Sequence, residues 1–440
     1  MNMIDVLRKI IERLLWLLAR LTLAKYAPQV VGVTGSVGKS STKEAIALVL
    51  GREWRVRQNQ GNYNNELGVP LTILGLASAG RNPWLWIGRF GLALWHLLVR
   101  DPKFPEILVL ELGIDRPGDM QYLLSHLTPN FGVVTHISES HLAYFGTLGA
   151  IAKEKGRLIA GLTEAGTAIL NGDDERVVKM GERTKAKVIT YGLQGDVDVK
   201  GEHLKLLQEG GRIDGLSFKL SYGGTSLPVR LPETIGKHHV SPVLAAAAVG
   251  VAFKMNLVEI AEALMSFRPL PGRLTLLTGR QDMRILDDTY NASPLSTSAA
   301  LAVLKEIIAP RRVVILGDML EIGEGAVDAH RKLADAVIGS GATVFVGVGY
   351  YMRYLADALR GTSFPEKYIY SFQDPVLACE SLANIVRTGD LVLVKGSQGL
   401  RMETIVESLL AYPEKDRDRL PRQSITWQAK PFIAPAEWPV

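Results

Sequence analysis

The sequence predicts an α/β fold in two successive units, each a mostly parallel sheet flanked by helices. Three observations predict it. Short, fully apolar runs alternate with helix-length segments along most of the 440 residues, the pattern of strands covered on both faces by crossover helices. A glycine-rich turn, Gly32-Val33-Thr34-Gly35-Ser36-Val37-Gly38-Lys39-Ser40-Ser41-Thr42, lies between the apolar pair Val30-Val31 and a helical run over 43–50. A Pro/Gly break, Arg268-Pro269-Leu270-Pro271-Gly272, precedes a second set of apolar runs.

In chain order, 4–26 is strongly apolar but interrupted by Asp5, Arg8, Lys9, Glu12, Arg13, Arg20 and Lys25. Those charges exclude a comfortable membrane span, and no small-residue cleavage site follows, which argues against a signal peptide. An amphipathic helix is expected, either packed on the protein or lying at a membrane interface. The stretch 84–99 carries Trp84, Trp86, Phe90 and Trp95 among leucines and is too short for a span. A buried helix, an interfacial helix and a partner surface all suit it. Buried strands are expected at 107–110, 131–135, 167–170 and 187–191, with helix composition over 147–164. The alternating segment 217–222 before Gly223-Gly224 predicts a hairpin. Helices follow at 241–253 and 257–266, then strands at 285–288, 313–316, 343–346 and 391–394. The expected division is an N-terminal amphipathic helix (1–28), a central domain (29–268), a C-terminal domain (269–412) and a loose, charged, Pro-rich tail (413–440).

Composition narrows the function. The apolar fraction of 47% and charged fraction of 22% are ordinary for a globular protein. A net charge of +5 suits anionic substrates or a membrane surface and is too weak to argue for nucleic acid. The lone Cys379 excludes an internal disulfide and suggests a reducing compartment, and no Cys/His cluster has zinc spacing.

The glycine-rich turn is in the strand–loop–helix setting of a phosphate cradle (P-loop). Its backbone N–H groups and the positive end of the following helix converge on one anion. Gly35, Ser36, Gly38, Lys39, Ser40 and Ser41 are the expected phosphate contacts, with Lys39 reaching terminal phosphates and the Ser40 hydroxyl on Mg²⁺. The usual spacing would place a first glycine at Val33; here the glycines are Gly32, Gly35 and Gly38. Glu111 ends the run 107–110, at the sheet edge where ligands bind, and suits a metal; a solvated strand-end charge is the plainer alternative. His141, after the strand-end run 135–140, is a candidate second ligand or a structural histidine. Lys155 reads locally as a surface lysine on a helix. In the second unit Asp288, Asp318, Lys395 and Arg401 lie at or just beyond strand ends, suiting either helix caps and solvated loops or a ligand, the basic pair an anion.

Eight stretches in order resemble the Mur ligases, the ATP-dependent amide-bond ligases of peptidoglycan precursor synthesis, most closely the D-alanyl-D-alanine-adding (MurF) type. They are residues 32–42, Gly-Asn-Tyr-Asn-Asn-Glu-Leu-Gly-Val-Pro at 61–70, Glu-Leu-Gly at 111–113, His-Leu-Ala-Tyr-Phe-Gly at 141–146, Ala-Lys-Glu-Lys-Gly at 152–156, Asp-Asp-Thr-Tyr-Asn-Ala-Ser-Pro at 287–294, Leu-Gly-Asp-Met-Leu-Glu-Ile-Gly at 316–323 with His330, and Lys-Gly-Ser-Gln-Gly-Leu-Arg-Met-Glu at 395–403. The resemblance implies a P-loop ATPase domain followed by a Rossmann-like C-terminal domain. It implies ATP and Mg²⁺, a carboxylate activated as an acyl phosphate, and attack by an amine. On this analogy Ser40 and Glu111 hold one Mg²⁺ and His141 a second; Lys155 is carbamylated; Lys39, Lys155 and His141 act in catalysis. Asn291 contacts adenine or ribose, supported by Asp318. Asn64 and Asn65 line the acceptor side, and Lys395 and Arg401 lie near the carboxylate of the incoming amine. The implied partners are a muramyl peptide and an amino acid or dipeptide, in the cytoplasm, with peripheral membrane contact through 4–26 and 84–99 as an added expectation. Two departures stand out: residues 1–28 are too few for the N-terminal UDP-sugar domain of the MurF type, and His239 stands where the family has asparagine. Folylpolyglutamate- or cyanophycin-type ligation and a simple P-loop phosphotransferase or ATPase are the alternatives.

Overall fold

The computed structural model describes residues 3–61, 63–80, 82–138, 142–209, 212–320 and 322–429. Two units divide the chain: Met1–Lys205, Ser217–Leu231 and His238–Phe267 form the first; Leu206–Leu216, Pro232–Lys237 and Arg268–Val440 form the second.

The first unit runs α1 (Met3–Tyr26), β1 (Gln29–Thr34), α2 (Lys39–Leu50), β2 (Val56–Gln58), α3 (Gly68–Leu74), α4 (Pro83–Leu98), β3 (Ile107–Glu111), α5 (Asp119–Leu124), β4 (Phe131–Val134), α6 (Leu142–Phe145), α7 (Leu148–Ala160), β5 (Thr167–Asn171), α8 (Glu175–Val178) and β6 (Lys187–Gly192). Its strands order β2-β3-β1-β4-β5-β6, all parallel. The sheet continues through β7 (Val199–Glu209), β8 (Arg212–Tyr222) and β9 (Thr225–Leu231). Two residues join β8 to β9, so this pair is an antiparallel hairpin, since a parallel pair needs a long crossover. The all-apolar runs become strands buried on both faces, as in β3, where every residue is buried. The alanine-rich α9 (Val240–Ala252) packs on α2, where small side chains allow close approach, and α10 (Leu257–Leu264) follows.

Register decides which strand ends meet. Val33 of β1 pairs with Glu111 of β3, and Thr34 with Val134 of β4. The loop after β1 therefore emerges between Glu111 on one side and the chain after Val134 on the other.

The N-terminal segment is a 24-residue helix whose Leu15, Trp16, Leu18 and Ala19 are buried. Trp16 stacks on His126 with ring centroids 4.6 Å apart. At the far end Lys25 Nζ donates to the carbonyls of His96 and Leu97, both at 3.0 Å, tying α1 to α4. Both helices thus pack on the protein by one face. Among the described residues no helix is long and apolar enough to cross a membrane.

The second unit contains β10 (Thr275–Thr278), β11 (Arg284–Asp288), α11 (Pro294–Glu306), β12 (Arg312–Gly317), α12 (Ala326–Arg331), α13 (Ala334–Gly339), β13 (Val344–Val348), α14 (Met352–Arg360), β14 (Ile369–Phe372), α15 (Pro375–Ile385), β15 (Leu391–Lys395) and α16 (Glu403–Leu409). Its order is β10-β11-β15-β12-β13-β14, parallel except for the antiparallel edge strand β10. Pairing of Asp288 with Lys395, and of Leu316 with Lys395, sets three strand ends side by side. Beyond α16 the charged segment is described to residue 429, and Arg422 and Trp427 within it bond to this unit. The Arg422 side chain is buried and donates to Glu403 Oε2 at 2.6 Å and to the carbonyls of Thr289 and Tyr290.

Candidate active site

The β1–α2 loop needs two left-handed glycines, Gly35 at φ 147° and Gly38 at φ 83°. A Cβ on Gly35 would lie 1.9 Å from Thr135 Oγ1, so the turn also requires the space. The next chain segment braces it. Thr135 Oγ1 donates to the Val37 carbonyl at 2.6 Å, Ser36 N to the His136 carbonyl at 2.6 Å, and Ser36 Oγ to the Ser138 carbonyl at 3.1 Å. Asp174 anchors that segment, accepting from Ile137 N at 2.8 Å and lying 3.0 Å from His136 Nδ1.

Two ammonium groups meet on one loop carbonyl. Lys39 Nζ donates to Gly35 O at 2.9 Å and Lys155 Nζ, from α7, to the same oxygen at 2.8 Å. Lys155 is nearly fully buried, and burial, reinforced by the charge of Lys39, pushes its pKa down to about 7. Near neutral pH much of this amine is uncharged and nucleophilic. Such an amine can take up CO₂ as a carbamate, which a charged surface lysine cannot do readily.

Glu111 is buried. Its Oε1 accepts from Asn64 Nδ2 at 3.0 Å, while Oε2 is buried without a hydrogen-bond partner. An orphaned carboxylate oxygen costs free energy unless something positive completes it. The donor set suits Mg²⁺, a hard cation that takes oxygen ligands such as this carboxylate and the Ser40 hydroxyl on the first turn of α2. Among the described residues no group of three or more His, Cys, Asp and Glu could hold a metal. The expected second ligand, His141, lies outside the described residues.

Asn64 is also held from the other side. Gly113 N donates to its carbonyl at 2.8 Å, and a Cβ on Gly113 would come within 2.8 Å of the Asn64 side chain. Asn65 caps α3, its Oδ1 accepting from Gly68 N at 3.0 Å. Both asparagines, with Lys39, Glu12, Asp115 and Tyr122, line a cavity of about 300 Å³. Asn59, a residue outside the expected set, joins the parts. Its Nδ2 donates to the carbonyls of Tyr63 and Glu111, and its Oδ1 accepts from Glu111 N. Lys43, also buried, donates to the Asn59 carbonyl. No pattern of types marks either residue in the sequence; Asn59 follows β2, whose register against β3 brings it to Glu111, and Lys43 reaches Asn59 from α2.

The second unit gathers its own set. Lys395 Nζ lies 2.6 Å from Asp288 Oδ2 and 2.9 Å from the Asn291 carbonyl, fully buried. Asn291 is exposed at the end of this loop. Asp318 is buried and accepts from Tyr351 N at 2.9 Å and Met352 N at 2.7 Å, fixing the start of α14; burial raises its pKa to about 7. His330 Nε2 accepts from Met319 N at 2.9 Å, and burial lowers its pKa, favouring the neutral ring this bond needs. Arg401 donates to Glu403 Oε1 at 2.6 Å and to the Trp427 carbonyl at 2.7 Å. Lys395 and Arg401 are therefore both engaged by the protein's own acceptors.

A phosphate loop, a lysine from α7 bonded to that loop, a metal-suited carboxylate and a second α/β unit define the class of nucleotide-dependent ligases. Residues 92–250 match the Mur ligase middle domain, and residues 272–398 match the Mur ligase glutamate ligase domain. The UDP-N-acetylmuramoyl-tripeptide–D-alanyl-D-alanine ligase of Synechocystis is 30% identical over 390 residues, 88% of this chain and 76% of that protein. The Bacillus subtilis enzyme of the same name is 29% identical over 90% of this chain and 79% of its own length. The structure of a MurF ligase from Thermotoga maritima in complex with ADP superposes with a TM-score of 0.71, at 26% identity over 90% of this chain and 83% of that one. The chain belongs to the Mur ligase family.

Proposed function

We propose that this ligase joins a D-alanyl-D-alanine-type dipeptide or an amino acid to the peptide of a cell-wall precursor on the cytoplasmic side, through an acyl phosphate. The observation that carries the reading is the pair of lysine amines, Lys39 and Lys155, on the Gly35 carbonyl of the loop that follows β1, whose Val33 pairs with Glu111 and its orphaned oxygen. The likeness to D-alanyl-D-alanine ligases along nine-tenths of the chain supports the substrate class.

The chain's own groups do the following. Lys39 and the loop N–H groups hold the γ-phosphoryl group of ATP and stabilise its charge as an acceptor carboxylate oxygen attacks phosphorus and the bond to ADP breaks. Ser40 and Glu111 would hold Mg²⁺, which neutralises phosphate charge. The amine then attacks the acyl carbon, phosphate leaves, and the nitrogen loses a proton, giving amide, ADP and phosphate. Asn64 and Asn65 line the cavity on the acceptor side. Lys155, as its carbamate, would present an anionic oxygen pair towards this charge cluster. On the family resemblance Asn291, which is exposed, would contact adenine or ribose, and Asp318, which fixes the start of α14, would support that pocket. On the same resemblance Lys395 and Arg401 would lie near the amine's carboxylate, on loops that their bonds to Asp288 and Glu403 hold in shape.

The test is phosphate release from ATP with UDP-muramyl tripeptide, with and without D-alanyl-D-alanine, with mass spectrometry of the product. Amine-dependent release with a matching product supports the reading. Amine-independent release would favour a P-loop ATPase, and use of glutamate on a non-muramyl acceptor a folylpolyglutamate-type ligase.

A further inference from the structure

α1 carries two adjoining stripes, one buried and one exposed. Leu15, Leu18, Ala19 and Thr22 are buried against the protein, while Leu7, Ile10, Leu14, Leu17 and Leu21 are exposed. The exposed set repeats at three and four residues, one stripe along the helix. Its neighbour α4 buries only Trp86 and Ala93 of 16 residues. It leaves Trp84 79%, Trp95 58% and Leu98 82% exposed. Of the 26 exposed large apolar side chains among the described residues, fourteen lie on α1, α4 and the cap residue Val99. Patches of this kind mark docking surfaces.

Charge identifies the occupant. Residues 3–26 and 83–100 contain seven Lys and Arg against two acids, a surplus of five that equals the net charge of the entire chain, +5. The remainder is neutral. Lys9, Arg13 and Arg20, all exposed, flank the α1 stripe on one side. Of the two acids, Glu12 is turned to the Tyr122 hydroxyl. A second copy docked through this face would bring two surfaces of the same sign together. An anionic lipid surface complements both the basic rim and the apolar centre, and exposed tryptophans favour the headgroup boundary. We infer that α1 and α4 dock side by side, in the plane of the interface, on an anionic bilayer. The inference does not depend on which substrates the ligase joins.

The experiment is co-sedimentation of the full chain with phosphatidylglycerol/phosphatidylcholine vesicles and with pure phosphatidylcholine vesicles, at low and high salt. It is paired with light scattering for oligomeric state. The wild type should partition onto the anionic vesicles at least about tenfold better than onto the neutral ones, less at high salt. Leu14→Glu/Leu17→Glu, at exposed positions, should lower that partitioning at least about tenfold with an unchanged circular-dichroism melt. Independently of any variant, brominated lipid should quench wild-type tryptophan fluorescence. No partitioning onto anionic vesicles, equal binding to both vesicle types, or an unquenched signal would overturn the inference. So would a dimer that Leu14→Glu/Leu17→Glu splits without any vesicle binding, which would assign the face to a second copy.

Discussion

The two units present the same architectural feature, loops at the carboxyl ends of parallel strands, and furnish it in opposite ways. In the first, two lysine amines, half-buried Lys39 and buried Lys155, crowd one backbone carbonyl, and a buried carboxylate oxygen of Glu111 has no hydrogen-bond partner. In the second, the strand-end charges are matched: Lys395 lies on Asp288, Arg422 on Glu403, and Asp318 accepts two backbone N–H groups. Asp287 is the partial exception, with one buried oxygen unpartnered and a pKa raised by burial to about 7. Incomplete satisfaction marks the place a ligand completes; full satisfaction marks a scaffold.

The largest effect that could break this contrast is on activity. Lys39→Ala should lower amine-dependent phosphate release by about 10³-fold, within the range for losing a group that stabilises transferring charge, with an unchanged melting profile. In the scaffold, Lys395→Met leaves Asp288 without its counter-ion. A stability loss of about 3–5 kcal/mol is expected by denaturant titration, partly restored by adding Asp288→Asn.

Titration sharpens the contrast further. Lys155 has a pKa of about 7 when folded against an ordinary value of 10.5. The unfolded chain thus binds more protons between these values, and the contribution of Lys155 to stability rises with pH across that window, by at most about 1.4 kcal/mol per pH unit. Asp318 has the opposite sign. Folding raises its pKa from 3.8 to about 7, so the folded state holds the extra proton and stability falls as pH rises through that range. Hydrogen exchange of β1 and β3 peptides against β12 and β13 peptides should show the two trends separately; Lys155→Met should flatten the first and Asp318→Asn the second. Smallest of all, Asn65→Ala removes the cap on α3 and should cost about 1 kcal/mol, read by thermal melting.

Much of the fold is legible in the residues alone. The runs at 107–110 and 313–316 are short, rich in β-branched residues and apolar without alternation, the pattern of a doubly covered strand, and both are strands. The β2 strand is not legible, being three half-buried residues with no run to notice. The glycine turn announces its loop through residue types. Lys155 does not announce itself; local sequence makes it a surface lysine, and only the resemblance points to it. Asn59 carries no signal, because its role depends on β3 lying beside it, 52 residues away. The strand-end residues of the second unit are visible as polar, but their partnership is not: Asp288 meets Lys395 across 107 residues through sheet register. The apolar character of 4–26 is plain in the sequence, whereas the face that the protein covers is set by the neighbours of α1.

The central claim is that a phosphoryl group held by the β1–α2 loop passes to a carboxylate and that an amine then displaces phosphate from the acyl carbon. Turnover of an acceptor labelled with ¹⁸O in its free carboxylate tests this directly. The account predicts one labelled oxygen in each phosphate released, dependent on the amine and abolished by Lys39→Ala; unlabelled phosphate accompanying amide formation would contradict it.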